Sequence, residues 1–415
     1  MNPTSKSIIA ALAVLGATGS IMAGVVMRDR VDVGGANAGQ GLEMTGLVAS
    51  RDANEVPEGD YFFEITNLLK RRYVENIADE RKLAIGAVRG MVTSLGDPDS
   101  LYLDKESFRV HRAMREGKFE GIGVQLELIY LDPKAKDDRI SGQPVEPEAA
   151  LLGAIRIPKV TVVTVVPGGP ADKAGVKVGD YVEYIDDHWV PNAETVASFR
   201  KLQSDFNAGK VKWEELSKVQ IELSKRTKKT LMPLKAHDKL LVGTEGNLNV
   251  VWRRGSESRK TSITRAASEI PRFADTEGTI KPRFIAGVAD QIRNSVRDKD
   301  SIIIDLRGNA NGEYKAMREA LAALAPSGKY GKLLVGKREL PFDVKVGNAN
   351  PPKTTLLVDQ GTRGAAEAFA LALVEAGVGT MQGKTAGHPI LVEDYSLPDG
   401  SGYTLAIAKY QRSGK

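Results

Sequence analysis

The pattern of apolar and polar residues changes character twice along this chain. From Gly59 to about Arg115, apolar residues recur at spacings of three and four, as in "YFFEITNLLKRRYVENI" and "ERKLAIGAVRGMVTSL". This periodicity predicts two or three packed helices. The turn "GDPDS" follows, and its proline cannot continue a helix. We therefore predict a helical region over residues 58–117.

Between Phe119 and Ala266 the pattern is that of strands joined by glycine turns. "EGIGVQLELIY" predicts a strand, "VTVVTVVPGGPADKAGVKVGDYVEYIDD" predicts a strand, a short helix and a strand, and "NLNVVWRRGSESRKTSITRA" predicts a hairpin. These segments predict a small β-domain over 118–267. Within it, "AETVASFRKLQSDF" and "WEELSKVQIELSK" have helical periodicity, so we predict a helical insertion over 191–238 on the domain surface.

From Glu269 onward the pattern alternates between helices and strands. The predicted helices are "IAGVADQIRNSV", "GEYKAMREALAALAPSG" and "AAEAFALALVEAG", and the predicted strands are "SIIIDLRGN", "TTLLVDQG" and "YTLAIAKY". Fully apolar strands between helices predict a sheet covered by helices over 268–415. Sites in such sheets lie at the carboxyl ends of the strands, which here are "DLRGNANG" and "DQGTRG".

The N-terminal segment is apolar and uncharged from residue 7 to residue 27. Its length is sufficient to span a bilayer, while the single preceding charge, Lys6, is also typical of a signal peptide. Residues 1–30 are therefore predicted to be a membrane anchor or a removed signal, and either places the rest outside the cytoplasm. Residues 31–57, rich in Gly, Ala and acidic residues, predict a flexible linker.

Composition narrows the function classes. The 415 residues are 42% hydrophobic and 27% charged, which is typical of a folded protein of more than one domain. The chain has no cysteine, which excludes disulfides and thiol nucleophiles. Its four histidines, His111, His188, His237 and His388, show no metal-ligand spacing, so we predict no metal and no cofactor.

The net charge of +5 has a local origin. Residues 200–239 hold eleven Lys or Arg against five Asp or Glu, and this surplus of six accounts for the whole net charge. Such a run is either a solvated helical face or a patch for an anionic membrane or polymer. Because no basic motif is interleaved with aromatic residues, we predict no nucleic-acid partner.

The middle segment has a recognisable signature. "EGIGV" followed by "PGGPADKAGVKVGDYVEYIDD" resembles a PDZ domain of the bacterial protease type. Gly121 and Gly123 free the backbone, so that successive N–H groups can converge on a carboxylate while the next strand edge pairs with an extended peptide. We predict that Gly121, Ile122, Gly123 and Val124 bind the peptide.

From about residue 59 onward the chain resembles the carboxy-terminal processing, or tail-specific, serine peptidases. The matching motifs are "LGDPDSLYLDKESF", "GKFEGIGVQL", the PDZ signature, "IIIDLRGN", "LLVDQGTRGAAEA", "GKTAGH" and "LPDGSGYTLAIAKYQRSGK". The resemblance implies a multidomain α+β and α/β protein with a helical N-terminal part, a PDZ domain and a crotonase-like (ClpP/crotonase) peptidase core. It also implies export, binding of protein C-terminal tails, and cleavage by a serine nucleophile with a lysine base.

The catalytic motifs depart from the family pattern. The family's nucleophile turn, S-A-S-A-S-E, aligns with residues 362–367, so Glu367 is kept while the position of the attacking serine is Gly364. The position of the lysine base falls on His388 in the shorter "GKTAGHP". In the turn D-L-R-x-N-x-G-G, expected to supply oxyanion donors, Asn311 replaces one glycine. Asp305 and Arg307 in that turn are expected to form an ion pair or cap.

These departures predict an inactive member of the family that binds tails as a scaffold, as an adaptor, or as a partner of an active protease or of a membrane. The alternative is a peptidase with a displaced pair, Thr362 as nucleophile and Lys384 as base. A third hypothesis is a surface protein whose basic insertion docks on anionic lipid or polymer.

Overall fold

The structure is a computed structural model that describes residues 58–75, 77, 79–130, 157–310 and 312–413. The predicted anchor or signal, the predicted linker and Asn311 lie outside these residues. Within them, no helix has the length and apolar content needed to cross a bilayer. The chain divides into two compact units, Met1–Leu95 and Gly96–Lys415, and this division falls inside the segment predicted as one helical region.

The described part of the first unit consists of the two helices that the periodicity predicts. They are α1, Glu58–Arg72, and α2, Glu80–Ser94. The Asp79 side chain accepts a hydrogen bond from the Arg81 N–H at 3.0 Å and so caps α2.

The second unit begins with two short strands around a helix. These elements are β1, Tyr102–Leu103, α3, Lys105–Arg115, and β2, Lys118–Phe119. Asp104 caps α3 by accepting from the Ser107 N–H at 2.9 Å. The inner face of α3 is buried, with Val110 1% and Met114 4% exposed, and it packs into the core of the β-domain.

The predicted β-strands form a six-stranded antiparallel sheet in the order β3-β4-β5-β7-β8, with β6 paired to β5. Their bounds are β3 Val124–Ile129, β4 Lys159–Val165, β5 Tyr181–Ile185, β6 His188–Trp189, β7 Asn247–Arg254 and β8 Glu257–Thr264. A short helix, α4, Pro170–Lys173, lies between β4 and β5. Because β3 is at the sheet edge, one side of its backbone is not paired to another strand of the sheet.

Three helices lie between β6 and β7: α5, Ala193–Asn207, α6, Trp213–Thr227, and α7, Pro233–Leu241. The first two confirm the helical periodicity of the predicted insertion. The third helix is not part of a surface feature, because Ala236, Leu240 and Leu241 are buried in the core of the β-domain. The segment read as one insertion thus contains a hairpin of two helices followed by a core helix.

The C-terminal segment contains the predicted sheet with helices. The sheet order is β10-β11-β12-β15-β16, and all its neighbours except the β10–β11 pair are parallel. The strands are β10 Phe273–Thr276, β11 Thr279–Pro282, β12 Ser301–Asp305, β15 Lys353–Leu357 and β16 Gly379–Gln382. The helices are α8 Val288–Val296, α9 Tyr314–Leu324 and α10 Gly364–Glu375.

A second C-terminal sheet was not expected from the sequence pattern. It joins β13 Gly328–Val335, β14 Arg338–Val344, β17 Ile390–Ser396 and β18 Gly402–Gln411. The strand β1 completes it through the pair Tyr102↔Tyr403. Charged and exposed positions break the apolar pattern of β13 and β14, and the pairing of β1 spans 300 residues, so local periodicity does not reveal this sheet.

The β-domain packs directly on the turns at the carboxyl ends of β12 and β15. The Thr164 hydroxyl donates to the Gly308 carbonyl at 2.7 Å, and Val163 packs on Ala310. A Cβ added at Gly361 would lie 2.3 Å from the Val163 carbonyl oxygen, so only glycine permits this approach. A short strand, β9, Ser268–Glu269, pairs with β2 where the chain leaves the β-domain.

Candidate functional site

One cavity brings the edge strand of the β-domain together with the predicted nucleophile turn. Its volume is about 110 Å³. Its apolar wall comes from α3, β3 and the end of α7, and its polar end contains Arg363, Gly364 and His388. The cavity therefore connects the segment predicted to recognise peptides with the segment predicted to carry the chemistry.

Gly364 and His388, the predicted nucleophile and base positions, are neighbours. Gly364 is the first residue of α10 and has φ +56°, and its N–H donates to the His388 carbonyl at 2.9 Å. A Cβ at this position would lie 3.2 Å from the Ile390 carbonyl oxygen and 3.9 Å from that of Ala310. A serine there is in tight contact with the Ile390 carbonyl, which must shift slightly to admit it, and its left-handed backbone costs a further ~1–2 kcal/mol.

Glu367 connects α10 to the loop that holds the base position. The side chain is buried, and its Oε1 accepts from the Thr385 hydroxyl at 2.7 Å and the Gly387 N–H at 3.0 Å. Its Oε2 accepts from the His388 N–H at 2.8 Å. Burial raises the pKa of Glu367, although these donors oppose the shift. The retained glutamate thus fixes the geometry of the turn.

The His388 imidazole is paired with a carboxylate that the sequence pattern did not single out. Its Nε2 lies 2.8 Å and 3.0 Å from the two carboxylate oxygens of Asp99. Asp99 belongs to the turn "GDPDS", and the Thr404 hydroxyl holds this turn by donating to the Asp99 carbonyl at 2.8 Å. Only the fold brings these two positions together, since they are 289 residues apart.

Three of the four histidines line the cavity, each beside an aspartate. His111 Nε2 lies 3.1 Å from Asp394, and His237 Nδ1 lies 3.3 Å from Asp238. His388 with Asp99 is the third pair. Among the described residues, no three His, Asp or Glu side chains converge as metal ligands.

A second ion pair joins the nucleophile turn to the edge strand. Arg363 Nη2 lies 2.6 Å from Oε2 of Glu127 on β3. The Arg363 side chain is only 6% exposed, and its Nε has no hydrogen-bond partner among the described residues. Burial raises the pKa of Glu127, although Arg363 opposes this shift. Sequence reasoning gave neither residue a role, because Arg363 stands at an alanine position of the nucleophile-turn motif and Glu127 belongs to no motif.

Three of the four N–H groups of the glycine loop predicted to bind a carboxylate donate to carbonyls of the chain itself. The N–H groups of Gly121 and Ile122 donate to the carbonyls of Gly243 at 2.8 Å and Leu240 at 3.3 Å. That of Gly123 donates to the Glu120 carbonyl at 3.2 Å, and Val124 stands opposite Val165 in the β3–β4 register. None of these four residues lines the cavity, whereas the following strand residues 125–128 do.

The displaced pair is not assembled in this structure. Thr362 is fully buried, and its hydroxyl donates to the Leu306 carbonyl at 2.8 Å and accepts from the Asp359 N–H at 3.0 Å. Lys384 is exposed, and neither side chain lines the cavity. Both hydrogen bonds of Thr362 hold the turn, which is a structural role.

This assignment predicts the effect of substituting Thr362. We expect Thr362→Val to lower the free energy of unfolding by about 1–3 kcal/mol, because it leaves a buried carbonyl and a buried N–H unpaired. Thr362→Ser, which keeps the hydroxyl, should cost less. Urea unfolding measures both, with Lys384→Ala as the control that should change stability by less than about 0.5 kcal/mol. A Thr362→Val protein as stable as the native one would contradict the structural role.

The turn after β12 forms the ion pair expected from the sequence. Arg307 donates to the Asp305 carboxylate through Nε and Nη2, both at 2.8 Å. Burial opposes ionisation of Asp305, but Arg307 and Lys281 lower its pKa overall. Asp359 accepts from the N–H groups of Gly308 and Gly361, each at 2.9 Å, and so joins this turn to the nucleophile turn.

The cavity offers hydroxyl groups only where they are already engaged. Of the described residues that line it, Ser107 and Thr404 carry hydroxyls. Ser107 bonds to the Asp104 carboxylate, and Thr404 donates to the Asp99 carbonyl. The arrangement can hold a ligand between β3, α7 and the turn at Gly364, but it presents no activated nucleophile there.

Similar proteins support the resemblance read from the motifs. The chain is 26% identical to carboxy-terminal processing protease CtpA of Bacillus subtilis over 89% of this chain and 69% of that protein. It is 23% identical to CtpB of the same organism and 24% identical to chloroplastic carboxyl-terminal-processing peptidase 2 of Arabidopsis thaliana. These matches cover 87% and 85% of this chain, but only 66% and 61% of those relatives.

The fold also has a counterpart among solved structures. The photosystem II D1 C-terminal processing protease matches 86% of this chain, with 89% of its own length covered, at a TM-score of 0.53 and 18% identity. Residues 42–107 match the N-terminal domain of the activating protease CtpB, and residues 269–415 match Peptidase family S41. The chain is therefore a mixed α/β homologue of the carboxy-terminal processing proteases, and its residues 269–415 match peptidase family S41.

Proposed function

We propose that this protein binds the C-terminal tails of other proteins and has lost the peptidase reaction. The observation that carries the proposal is Gly364: a residue without a side chain occupies the nucleophile position, at the polar end of the cavity beside the edge strand β3. Nucleophile, base and oxyanion donors act as a unit, so the loss of the hydroxyl alone removes most of the catalysis.

The second catalytic position also argues against hydrolysis. A lysine base works when burial lowers its pKa, but here the position holds His388, 2.8 Å from Asp99. An imidazole with a carboxylate partner is a competent base only if a hydroxyl lies within reach of it. Without one, the pair has no proton to accept.

Peptide recognition rests on the β-domain, which we assign as a PDZ domain packed on a crotonase-like core. β3 is the edge strand of this sheet and lies beside the helix α7, and strand addition at such an edge binds extended peptides through main-chain hydrogen bonds. The cavity runs between these two elements to Gly364. A tail bound along β3 therefore ends near the former catalytic turn.

We place the protein outside the cytoplasm, on the basis of the uncharged segment 7–27. Its partners are proteins with exposed C-terminal tails. A second partner is an active protease, to which it delivers these proteins or from which it withholds them. The alternative, a peptidase with a displaced active site, is less well supported, because Thr362 is buried and Lys384 faces solvent. It predicts labelling by a hydroxyl-directed covalent inhibitor.

The test is a binding assay with a parallel cleavage assay. We expect peptides that end in apolar residues to bind with a measurable dissociation constant and to remain intact by mass spectrometry after prolonged incubation. Peptides ending in acidic residues are the specificity control, because much of the cavity wall is apolar. Hydrolysis that Thr362→Val or Lys384→Ala abolishes would contradict the proposal and support the displaced site, whereas the absence of any peptide binding would remove its recognition part.

A further inference from the structure

We propose that Arg363 is the receptor for the ligand's C-terminal carboxylate, and that Glu127 occupies this receptor while no ligand is bound. This inference rests on the proposed function, and it identifies the chemical group of the tail, its terminal carboxylate, that the site binds. It assigns recognition of the chain end to the former nucleophile turn, rather than to the glycine loop of residues 121–124.

The first argument is the state of the Arg363 side chain. It is 94% buried, lines the cavity, and makes one ion pair, through Nη2. Its Nε–H has no partner among the described residues. A guanidinium is a planar fork of donors that matches a carboxylate in two parallel hydrogen bonds. A buried donor left without a partner costs free energy that a second carboxylate oxygen recovers.

The second argument is the helix that begins beside it. Arg363 is the N-cap of α10, a helix of twelve residues, and it makes no side-chain capping bond. Gly364 and Ala365 of the first turn line the cavity. The positive end of the helix dipole therefore faces the same space as the guanidinium, and both favour an anion.

The third argument concerns the role of Glu127. It lies on β3, the strand edge along which a peptide would pair, and it points a carboxylate at Arg363 from 2.6 Å. This is the contact that a peptide carboxylate would make. A ligand that displaces Glu127 exchanges one carboxylate for another at the guanidinium, so the pairing of the buried arginine is kept throughout.

The neighbouring charges determine the free energy that is needed to displace Glu127 from Arg363. Arg363 pairs with Glu127 across the cavity and interacts electrostatically with Glu367 of its own helix. Asp99 and His388 interact electrostatically with Glu127. Displaced Glu127 must turn to solvent or take up a proton, and burial favours the protonated form of this group. The glycine loop is a poorer receptor, because three of its four N–H groups are bonded to the chain's own carbonyls and none of its residues lines the cavity.

The apolar side chains that line the cavity limit which residue can precede the carboxylate. Next to Arg363 the cavity is lined by apolar side chains of three elements, among them Met114, Leu128 and Leu241. We therefore expect a peptide with a free carboxylate and an apolar last residue. A small inorganic anion would leave these walls uncovered.

The experiment compares two peptides that differ only at the chain end. A fluorescein-labelled ten-residue peptide ending in Ala-Ile-Val is prepared as the free acid and as the C-terminal amide, and its binding is followed by fluorescence anisotropy. We expect the native full chain to bind the acid at least about tenfold more tightly than the amide, the effect of one charge-assisted contact. Arg363→Gln should remove this preference.

The matched variant is Glu127→Gln, which frees the receptor. We expect it to bind the acid several-fold more tightly than the native protein does, without a similar gain for the amide. Arg307→Gln, a change of the same kind at an arginine that does not line the cavity, should leave the preference unchanged. Thermal unfolding establishes that each variant is folded.

The outcomes separate this inference from the proposed function. Equal binding of acid and amide by the native protein overturns the carboxylate receptor while leaving tail binding intact. A preference that survives in folded Arg363→Gln also overturns it. If Arg363→Gln does not fold, the Glu127→Gln variant provides the test. An affinity for the free-acid peptide equal to that of the native protein would then refute the role of Glu127 and with it the inference. Binding of neither peptide by any variant contradicts the proposed function itself.

Discussion

Replacing Gly364 by serine, His388 by lysine and Asp99 by asparagine is expected to give a protein that hydrolyses peptides which, under the proposed function, the native chain binds without cleaving. The first two changes restore the side chains of the family's nucleophile and base. The serine fits once the Ile390 carbonyl oxygen, 3.2 Å from its Cβ, shifts slightly, since the next atom, the Ala310 carbonyl oxygen, is 3.9 Å away. The backbone at φ +56° is already that of a sharp strand-to-helix turn, a geometry that exposes the nucleophile in the α/β-hydrolase fold.

Asp99 is the reason for the third change. Its carboxylate lies 2.8 Å from the His388 side chain and would hold a lysine at 388 in the charged form. A lysine with a nearby opposite charge keeps its proton at neutral pH and cannot act as a base. We therefore expect the double variant, Gly364→Ser with His388→Lys, to be at least about tenfold slower than the triple variant, since a base contributes on the order of 10²–10⁴.

The measurement is the rate of release of the cleaved fragment from an apolar peptide, followed by liquid chromatography and mass spectrometry. The control is the same triple variant with alanine instead of serine at 364, which adds a Cβ but no nucleophile. A native protein that already cleaves as fast as the triple variant would contradict the assigned loss of activity. Cleavage by the alanine control would show that the hydrolysis does not come from position 364.

Removal of the Glu367 carboxylate is expected to be the most destabilising single change at the site. Glu367→Ala leaves the Thr385 hydroxyl and the N–H groups of Gly387 and His388 without their acceptor in a buried place. Each unsatisfied group costs about 1–3 kcal/mol, so a loss of at least about 3 kcal/mol is expected. Glu367→Gln keeps an acceptor for Thr385 and Gly387 but turns its amide N–H₂ toward the His388 N–H. Its loss of unfolding free energy should lie between zero and that of Glu367→Ala.

The same residue gives a pH dependence with a definite sign. Burial raises the pKa of Glu367 above its ordinary value of 4.5, so the folded protein binds this proton more tightly than the unfolded chain does. The contribution of this group to stability is therefore largest below pH 4.5 and decreases as pH rises through the raised pKa. Glu367→Gln does not titrate and should remove this slope from the pH profile of its unfolding free energy.

Urea unfolding at several pH values measures both effects, with Glu319→Ala as the control. Glu319 is an exposed glutamate on the neighbouring helix α9, and its removal should change stability by less than about 0.5 kcal/mol. A Glu367→Ala protein within 1 kcal/mol of the native one would mean that the glutamate does not hold the base-position loop in place.

The glycine loop of residues 121–124 has a conformation that its sequence predicts and hydrogen-bond partners that its sequence does not. The letters "EGIGV" indicate a loop with positive φ at Gly121 and Gly123, and both have it, at +64° and +73°. Where the N–H groups of that loop point depends on which carbonyls approach them, and α7 supplies one of these from more than a hundred residues away. Local sequence describes the conformation of a loop but not its partners.

Local pattern by itself determined the helices α1, α2 and α8–α10 and the strands β12 and β15, because each has one dominant apolar face or run. Motif letters determined the family and the absence of a hydroxyl at position 364. The tertiary structure alone decided the pairing of His388 with Asp99, of Arg363 with Glu127, and of β1 with β18. These contacts join residues hundreds of positions apart. The two ion pairs depend on burial and charge in a shared cavity, and the strand pair depends on backbone hydrogen bonds, neither of which periodicity along the chain encodes.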